Sequence, residues 1–156
     1  MKVKCIYNKL EDLSLSTREK IGIQLKSLYP MDIGEEFNVY GQLVDKKGII
    51  HYLIIEHRMN RSYWFPSELF EIIDKSIPTN WYFTEVSNSN IIAIWGFYEL
   101  VYDRDFFSKL MDRDYEAYKI FMKRIKETKA WFANGCDVFV YLSYWDYDPK
   151  TGMFLQ

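Results

Sequence analysis

Two histidines, two cysteines and a spread of carboxylates are the side chains of this 156-residue sequence best suited to bond-making chemistry. His51 and His57 both lie in the run "HYLIIEH". On a strand, positions six apart share a face but sit roughly 20 Å from each other at about 3.3 Å per residue. One metal ion cannot bridge that gap, and there is no Cys-x-x-Cys or His-Glu-x-x-His spacing to hold one elsewhere. A nucleophilic mechanism needs Ser or Cys beside a base. Here the base would have to be His51 or His57, with no nucleophile elbow around either, and Cys5 is expected as a buried structural thiol. No Walker loop or Gly-x-Gly-x-x-Gly cradles phosphate. Glu68 and Glu71 can be paired on paper as a glycosidase-like couple. They read instead as solvated edge charges, because nothing around them implies the burial that raises a general acid's pKa. The expectation is a protein that is not an enzyme and has no metal and no cofactor.

What remains is acidic and aromatic. "DRDFF" and "DRDYEAY" place Asp103, Asp105, Asp112, Asp114 and Glu116 around Tyr115, and "YWDYD" repeats the mixture as Tyr144, Trp145, Asp146, Tyr147 and Asp148. Aromatic anchors give contact area with little rotamer entropy, and carboxylates between them steer a basic protein. These are the candidate partner-binding residues. The competing reading makes the aspartates helix caps and the rings core. A second candidate is the pair Tyr63 and Trp64, which could grip a peptide or a sugar if exposed. Trp64 is expected to be at least half buried.

Charge supports the choice of partner. Residues 61–116 carry 5 Lys/Arg against 10 Asp/Glu, and the basic segment, 117–133, has 5 against 1. That segment falls on one face of an expected helix, so direct nucleic-acid binding is not expected. The sequence is 49% hydrophobic and 19% aromatic, enough for one sizeable core, and a single domain is expected over 1–156. The opening "MKVKCIYNKLEDLS" has no signal-peptide apolar region, and charges interrupt every later apolar run. A cytoplasmic chain with free Cys5 and Cys136, and no membrane partner, is the corresponding expectation.

The elements that must position these groups follow from periodicity. "VKCIYN" predicts a strand, and 9–30 a long loop with a short helical turn. "IGEEFNVYGQLVD", the turn "DKKG" and "IIHYLIIEH" predict a hairpin whose second strand is central. Phe65-Pro66 enforces extended or turn geometry, and Ser67 to Phe70 predicts one helical turn before the strand "FEIID". Leu69, Phe70, Ile72 and Ile73 are then available to the core. "WYFTEV" and "NIIAIWGFYELVY" predict two more strands joined at "SNSN". Met111, Tyr115, Tyr118, Met122, Ile125 and Phe132 recur at helical steps, so 105–133 is expected to be a short helix leading into a long one. Asp105 and Asp112 or Asp114 serve as its caps, and a hairpin through "DPKTG" closes 137–156. The expected fold is α+β: an SH3-like bent antiparallel sheet or small barrel over 1–102, packed against the helix, with the hairpin completing it.

The order "MKVKCIYN", "IGEEFNVYG", "HYLIIE", "YWFPSELFEIID", "IPTNW", over residues 1–82, resembles small bacterial proteins with an SH3-like barrel. Some of these resemble immunity proteins that accompany secreted or contact-delivered toxins. The resemblance implies a stoichiometric inhibitor that binds a cognate toxin domain, such as a nuclease, and covers its active site. It carries over no catalytic or contact residue, and 105–156 lies outside it. The alternative is a non-catalytic SH3-like module for peptide or carbohydrate, with an enzyme as third choice.

Overall fold

A computed structural model describes residues 1–21, 28–56, 61–87, 89–131, 146–148 and 153–155. The chain is α+β with antiparallel sheets, and it divides into two units, Met1–Asp112 and Arg113–Gln156.

In the first unit, β1 (Lys2–Cys5) is the centre of a three-stranded sheet between β2 (Glu36–Asn38) and β6 (Phe70–Asp74). A five-stranded sheet runs in the order β5-β4-β3-β8-β7, from β3 (Gly41–Asp45), β4 (Ile50–Glu56), β5 (Arg61–Pro66), β7 (Tyr82–Glu85) and β8 (Ile91–Gly96). Neither sheet closes on itself. The expected single strand through "EEFNVYGQLVD" is instead two, β2 and β3, in different sheets. Val39 N–H donates to the Met1 carbonyl and Tyr40 N–H to the Leu53 carbonyl, so the backbone changes partner between these two residues.

The main core lies between the sheets. Met1, Val3, Cys5, Phe37 and Phe70 meet Tyr52, Ile54 and Phe65 of β4 and β5, with Phe70 edge-on to Phe37 at 6.1 Å. Alternation along β4 sends His51 and Leu53 to the opposite face, where cover also exists, so the strand is central as expected. The β3–β4 turn is fixed by Asp45, whose Oδ1 accepts from the Lys47 and Ile49 amides at 2.9 Å, with Gly48 at φ +75°.

Pro66 ends β5, and a 3-10 turn at Ser67–Leu69 carries the chain across to β6. Leu69 and Phe70 are buried, but Ile72 and Ile73 are not: they are 44% and 43% exposed on the outer strand of the small sheet. Residues 9–21 contain more order than a loop, with a 3-10 turn at Leu10–Asp12 and α1 at Leu15–Ile21.

The largest departure from the sequence pattern is "FYELVY". The strand stops at Gly96, and α2 (Tyr98–Tyr102) follows, then α3 (Phe106–Met111). Its cause is tertiary. Gly41 of β3 and Gly96 of β8 are cross-strand partners, and they leave a bare patch on the sheet. Leu100 of α2 fills it so closely that a Cβ on either glycine would lie 2.7 Å from Leu100 Cδ2. Phe97 and Phe106, edge-on at 5.6 Å, with Val101 and Leu110, complete this second core.

In the second unit, α4 (Tyr115–Trp131) buries Ala117, Phe121, Ile125 and Thr128; of the expected stripe Ile125 is core, whereas Tyr118 and Met122 are partly buried and Tyr115 is exposed. Lys119, Lys123, Lys126 and Glu127 are exposed as expected. The strands β9 (Asp146–Asp148) and β10 (Met153–Leu155) pair antiparallel, whereas Phe132 and the expected strand from 137 to 145 lie outside the described residues.

Gly41→Ala is expected to destabilise the protein by about 1–3 kcal/mol, because its methyl group meets Leu100, Trp64 Cη2 at 3.2 Å and the Trp95 carbonyl at 3.3 Å together. Urea unfolding checks this, and a loss below about 0.5 kcal/mol, the level of an ordinary surface change, would show that α2 does not lie so close.

Candidate functional site

The close seating of α2 determines which rings reach solvent. With Leu100 and Val101 turned inward, Tyr98 and Tyr102, one helical turn apart, face out and touch at 5.1 Å. Tyr82 of β7 pairs in register with Gly96 and joins them, at 5.7 Å from each ring. Each of the three stays about half exposed, Tyr82 at 43%, Tyr98 at 54% and Tyr102 at 50%. Asp103, Arg104 and Asp105 follow Tyr102 in the chain and are exposed. Pattern reading missed these tyrosines. The signal available was the pair Tyr98 and Tyr102 at a helical spacing of four.

The expected partner-binding residues divide by role. Asp103 caps the chain turn into α3, its Oδ1 accepting from the Asp105 amide at 3.0 Å. Asp105 stands at the start of α3 and pairs loosely with Lys109 at 3.9 Å. Asp112 is the exposed C-cap of α3. Arg113 then takes φ +63°, a left-handed conformation that separates α3 from the next helix. In the second unit Asp114 is the N-cap of α4, accepting from the Ala117 amide at 2.9 Å. Tyr115 is 45% exposed with the Lys119 ammonium 5.9 Å over its ring, and Glu116 pairs with Lys119 at 4.0 Å. Asp146, Tyr147 and Asp148 form β9, while Tyr144 and Trp145 lie outside the described residues. The structure therefore leaves Asp103 and Asp105 exposed in the turn that follows α2, and it gives Asp114 a capping role.

The groups weighed for catalysis are accounted for differently. Cys5 is buried in the main core, with its S–H directed at the Tyr7 carbonyl at 3.3 Å; burial and the neighbouring Glu35 carboxylate push its pKa up. A raised thiol pKa leaves little thiolate for reaction. His51 lies on the opposite face of the large sheet from that core, so the two do not meet. His57 and Cys136 lie outside the described residues. His51 Nε2 is 3.1 Å from Asp45 Oδ2, in an open cleft of about 470 Å³ between the turn ends of the sheet and α3. Partial burial opposes ionisation of Asp45, but the Ile49 amide, His51 and the Lys47 amide outweigh it and hold the carboxyl below its ordinary pKa.

Trp64 also lines this cleft. It is mostly buried, as expected, and one ring face is stacked on Phe107 at 5.7 Å. Tyr63 packs on the main core. The exposed aromatic pair that a peptide or sugar grip requires is thus not formed by these residues. Among the described residues no group of three or more His, Cys, Asp or Glu side chains is placed to hold a metal ion.

Glu68 and Glu71 do not form an acid–base couple. Glu71 pairs with Lys4 at 3.5 Å across β1 and β6. Glu68 accepts from the Ser14 amide at 3.0 Å, the Ser14 hydroxyl at 3.1 Å and the Thr17 hydroxyl, which ties the start of α1 to the turn after β5. Desolvation works against the charge, yet these hydrogen bonds and Lys20 lower the Glu68 pKa. No helix among the described residues is long and apolar enough to cross a membrane. Comparison of the chain with protein-family models, curated proteins and solved structures gives no match.

Because the folded-state pKa of Glu68 is depressed, its contribution is complete above the ordinary carboxylate range and is lost as pH falls through the lowered value. Glu68→Gln is expected to cost about 0.5–1 kcal/mol at neutral pH, a value kept small by solvent exposure. Chemical denaturation of both proteins at neutral and strongly acid pH should show that difference shrink in acid. A constant difference would mean that the charge is not what binds α1.

Proposed function

We propose that this chain is a non-catalytic binding protein of the immunity type, which neutralises a toxin domain by covering its active site in the cytoplasm of the cell that makes it. The observation that carries this reading is the cluster of Tyr82, Tyr98 and Tyr102, each about half exposed, with Tyr102 followed in the chain by Asp103, Arg104 and Asp105. Clustered tyrosines set on a rigid sheet and helix offer contact area without a large ordering cost, which is what a tight inhibitor needs. Carboxylates beside them accelerate capture of a basic protein, such as a nuclease whose own surface is built for phosphate.

The resemblance over residues 1–82 is what suggests the immunity type. We read the two open sheets, linked where the backbone changes partner at Val39–Tyr40, as an SH3-like arrangement. Mechanism in this reading is occlusion: no bond is made or broken, and inhibition follows binding stoichiometry. Asp112 and, from the second unit, Tyr115 and Glu116 remain candidates for additional contacts.

Growth protection tests the proposal. A toxin domain encoded next to this chain is expressed with it, and cells are expected to survive only when the chain is present. Tyr98→Ala with Tyr102→Ala should abolish protection while the urea midpoint stays close to the parent's, and Asp103→Lys with Asp105→Lys should abolish it in a chain that circular dichroism shows still folded, its urea midpoint lowered only by the lost Asp103 cap. Full protection by both double variants, or none by the parent, would refute the reading.

A further inference from the structure

The tyrosine cluster has an electronic character as well as an area. Aromatic faces carry negative quadrupole charge and attract a cation placed over them. Tyr82 stands at 85° to Tyr98 and 66° to Tyr102, and the helix pair meets at 53°, so the rings are tilted against one another rather than stacked flat. At 43–54% exposure, they keep ring surface toward solvent. Among the described residues the chain's own ring-bound cation is Lys119 over Tyr115, in the other unit, and none is placed over these three rings.

The local charge has the sign that a cation requires. "YELVYDRD", residues 98–105, has Glu99, Asp103 and Asp105 against Arg104. Asp105 is shared only loosely with Lys109, at 3.9 Å in an exposed pair, which leaves most of its field in place. Asp103 spends one oxygen on the Asp105 amide, and a carboxylate has further acceptor sites.

We infer that Tyr82, Tyr98 and Tyr102 receive an arginine side chain of the partner, with the guanidinium over the tyrosine faces and Asp103 and Asp105 as its counter-charge. Arginine fits better than lysine because a planar, weakly hydrated guanidinium can stack on a ring and still present N–H groups to a carboxylate. The inference rests on the partner-binding reading and adds the chemistry by which that partner is recognised.

The probe is a short peptide alternating arginine and glycine, compared with one in which citrulline, the uncharged isostere, replaces every arginine. Calorimetric and NMR titrations of the full chain should show saturable binding of the arginine peptide, with the largest shifts at the rings of Tyr82, Tyr98 and Tyr102. Citrulline should weaken binding by about tenfold or more. Tyr98→Phe with Tyr102→Phe keeps the ring faces and should stay within about twofold of the parent, whereas the corresponding leucine pair should lose about tenfold. Asp103→Asn with Asp105→Asn should weaken binding at low salt, and the difference should fade at high salt.

Equal binding of the citrulline peptide, or unchanged binding by the leucine pair, would overturn the inference. Loss in the phenylalanine pair would also overturn it, since it would assign recognition to the hydroxyls. The outcomes stay separable from those of the growth test: protection that needs Tyr98 and Tyr102 while citrulline binds as well as arginine removes the cation alone. Protection indifferent to both tyrosines removes the binding reading itself.

Discussion

The contact on which the exposed surface depends is buried: Leu100 resting on the bare cross-strand pair Gly41 and Gly96. A five-residue helix such as α2 has no stability of its own, because helix nucleation is unfavourable and too few hydrogen bonds follow it. It exists where tertiary contact holds it. The absent Cβ atoms let Leu100 descend to the sheet, and the helix is then fixed in height and rotation. Tyr98 and Tyr102 inherit their position from that fit, and Tyr82, opposite Gly96 in the next strand, inherits its place from the same register.

The two faces of the five-stranded sheet thereby serve different ends. One face, through Tyr52, Ile54 and Phe65, packs on the smaller sheet and joins it in the main core. The other carries α2 and α3, with Trp64 held between Phe107 and Gly41. Carboxylates follow the same division of labour. Asp45 shapes the β3–β4 turn, Glu68 anchors α1, and Asp103 and Asp114 hold chain turns and helix starts. An acidic stretch of sequence is thus largely scaffold, and the surface proposed for binding is the part of it that follows the exposed rings of α2.

Much of the fold was legible because its signals are local. The Asp45-to-Gly48 turn, the buried run of β4, the Pro66–Ser67 passage and the general position of the late helices all follow from neighbouring residues. What could not be read locally was decided at a distance. The Ser14 amide meets Glu68, fifty-four residues away, so α1 carries little trace of its anchor in nearby sequence. Ile72 and Ile73 look like core residues, but β6 is an outer strand of the small sheet. The stripe of α4 includes Ala117 and Thr128, small or polar side chains that a search for large apolar residues passes over.

The site was half legible for a geometric reason. Asp103 and Asp105 are visible as charges in any conformation. Tyr98 and Tyr102 share a face whether the segment is strand or helix, since a separation of four is even and also close to one helical turn. Distance tells the two apart. In a strand those residues would stand roughly 13 Å apart, at about 3.3 Å per residue, and each would be an isolated ring. In a helix they lie about one turn apart, and the rings meet at 5.1 Å. The two glycines underneath leave room for Leu100 of the helix, whereas the tyrosine spacing fits either form. The seating of the tyrosine cluster proposed for binding therefore depends on Gly41 and Gly96, which lie beneath Leu100.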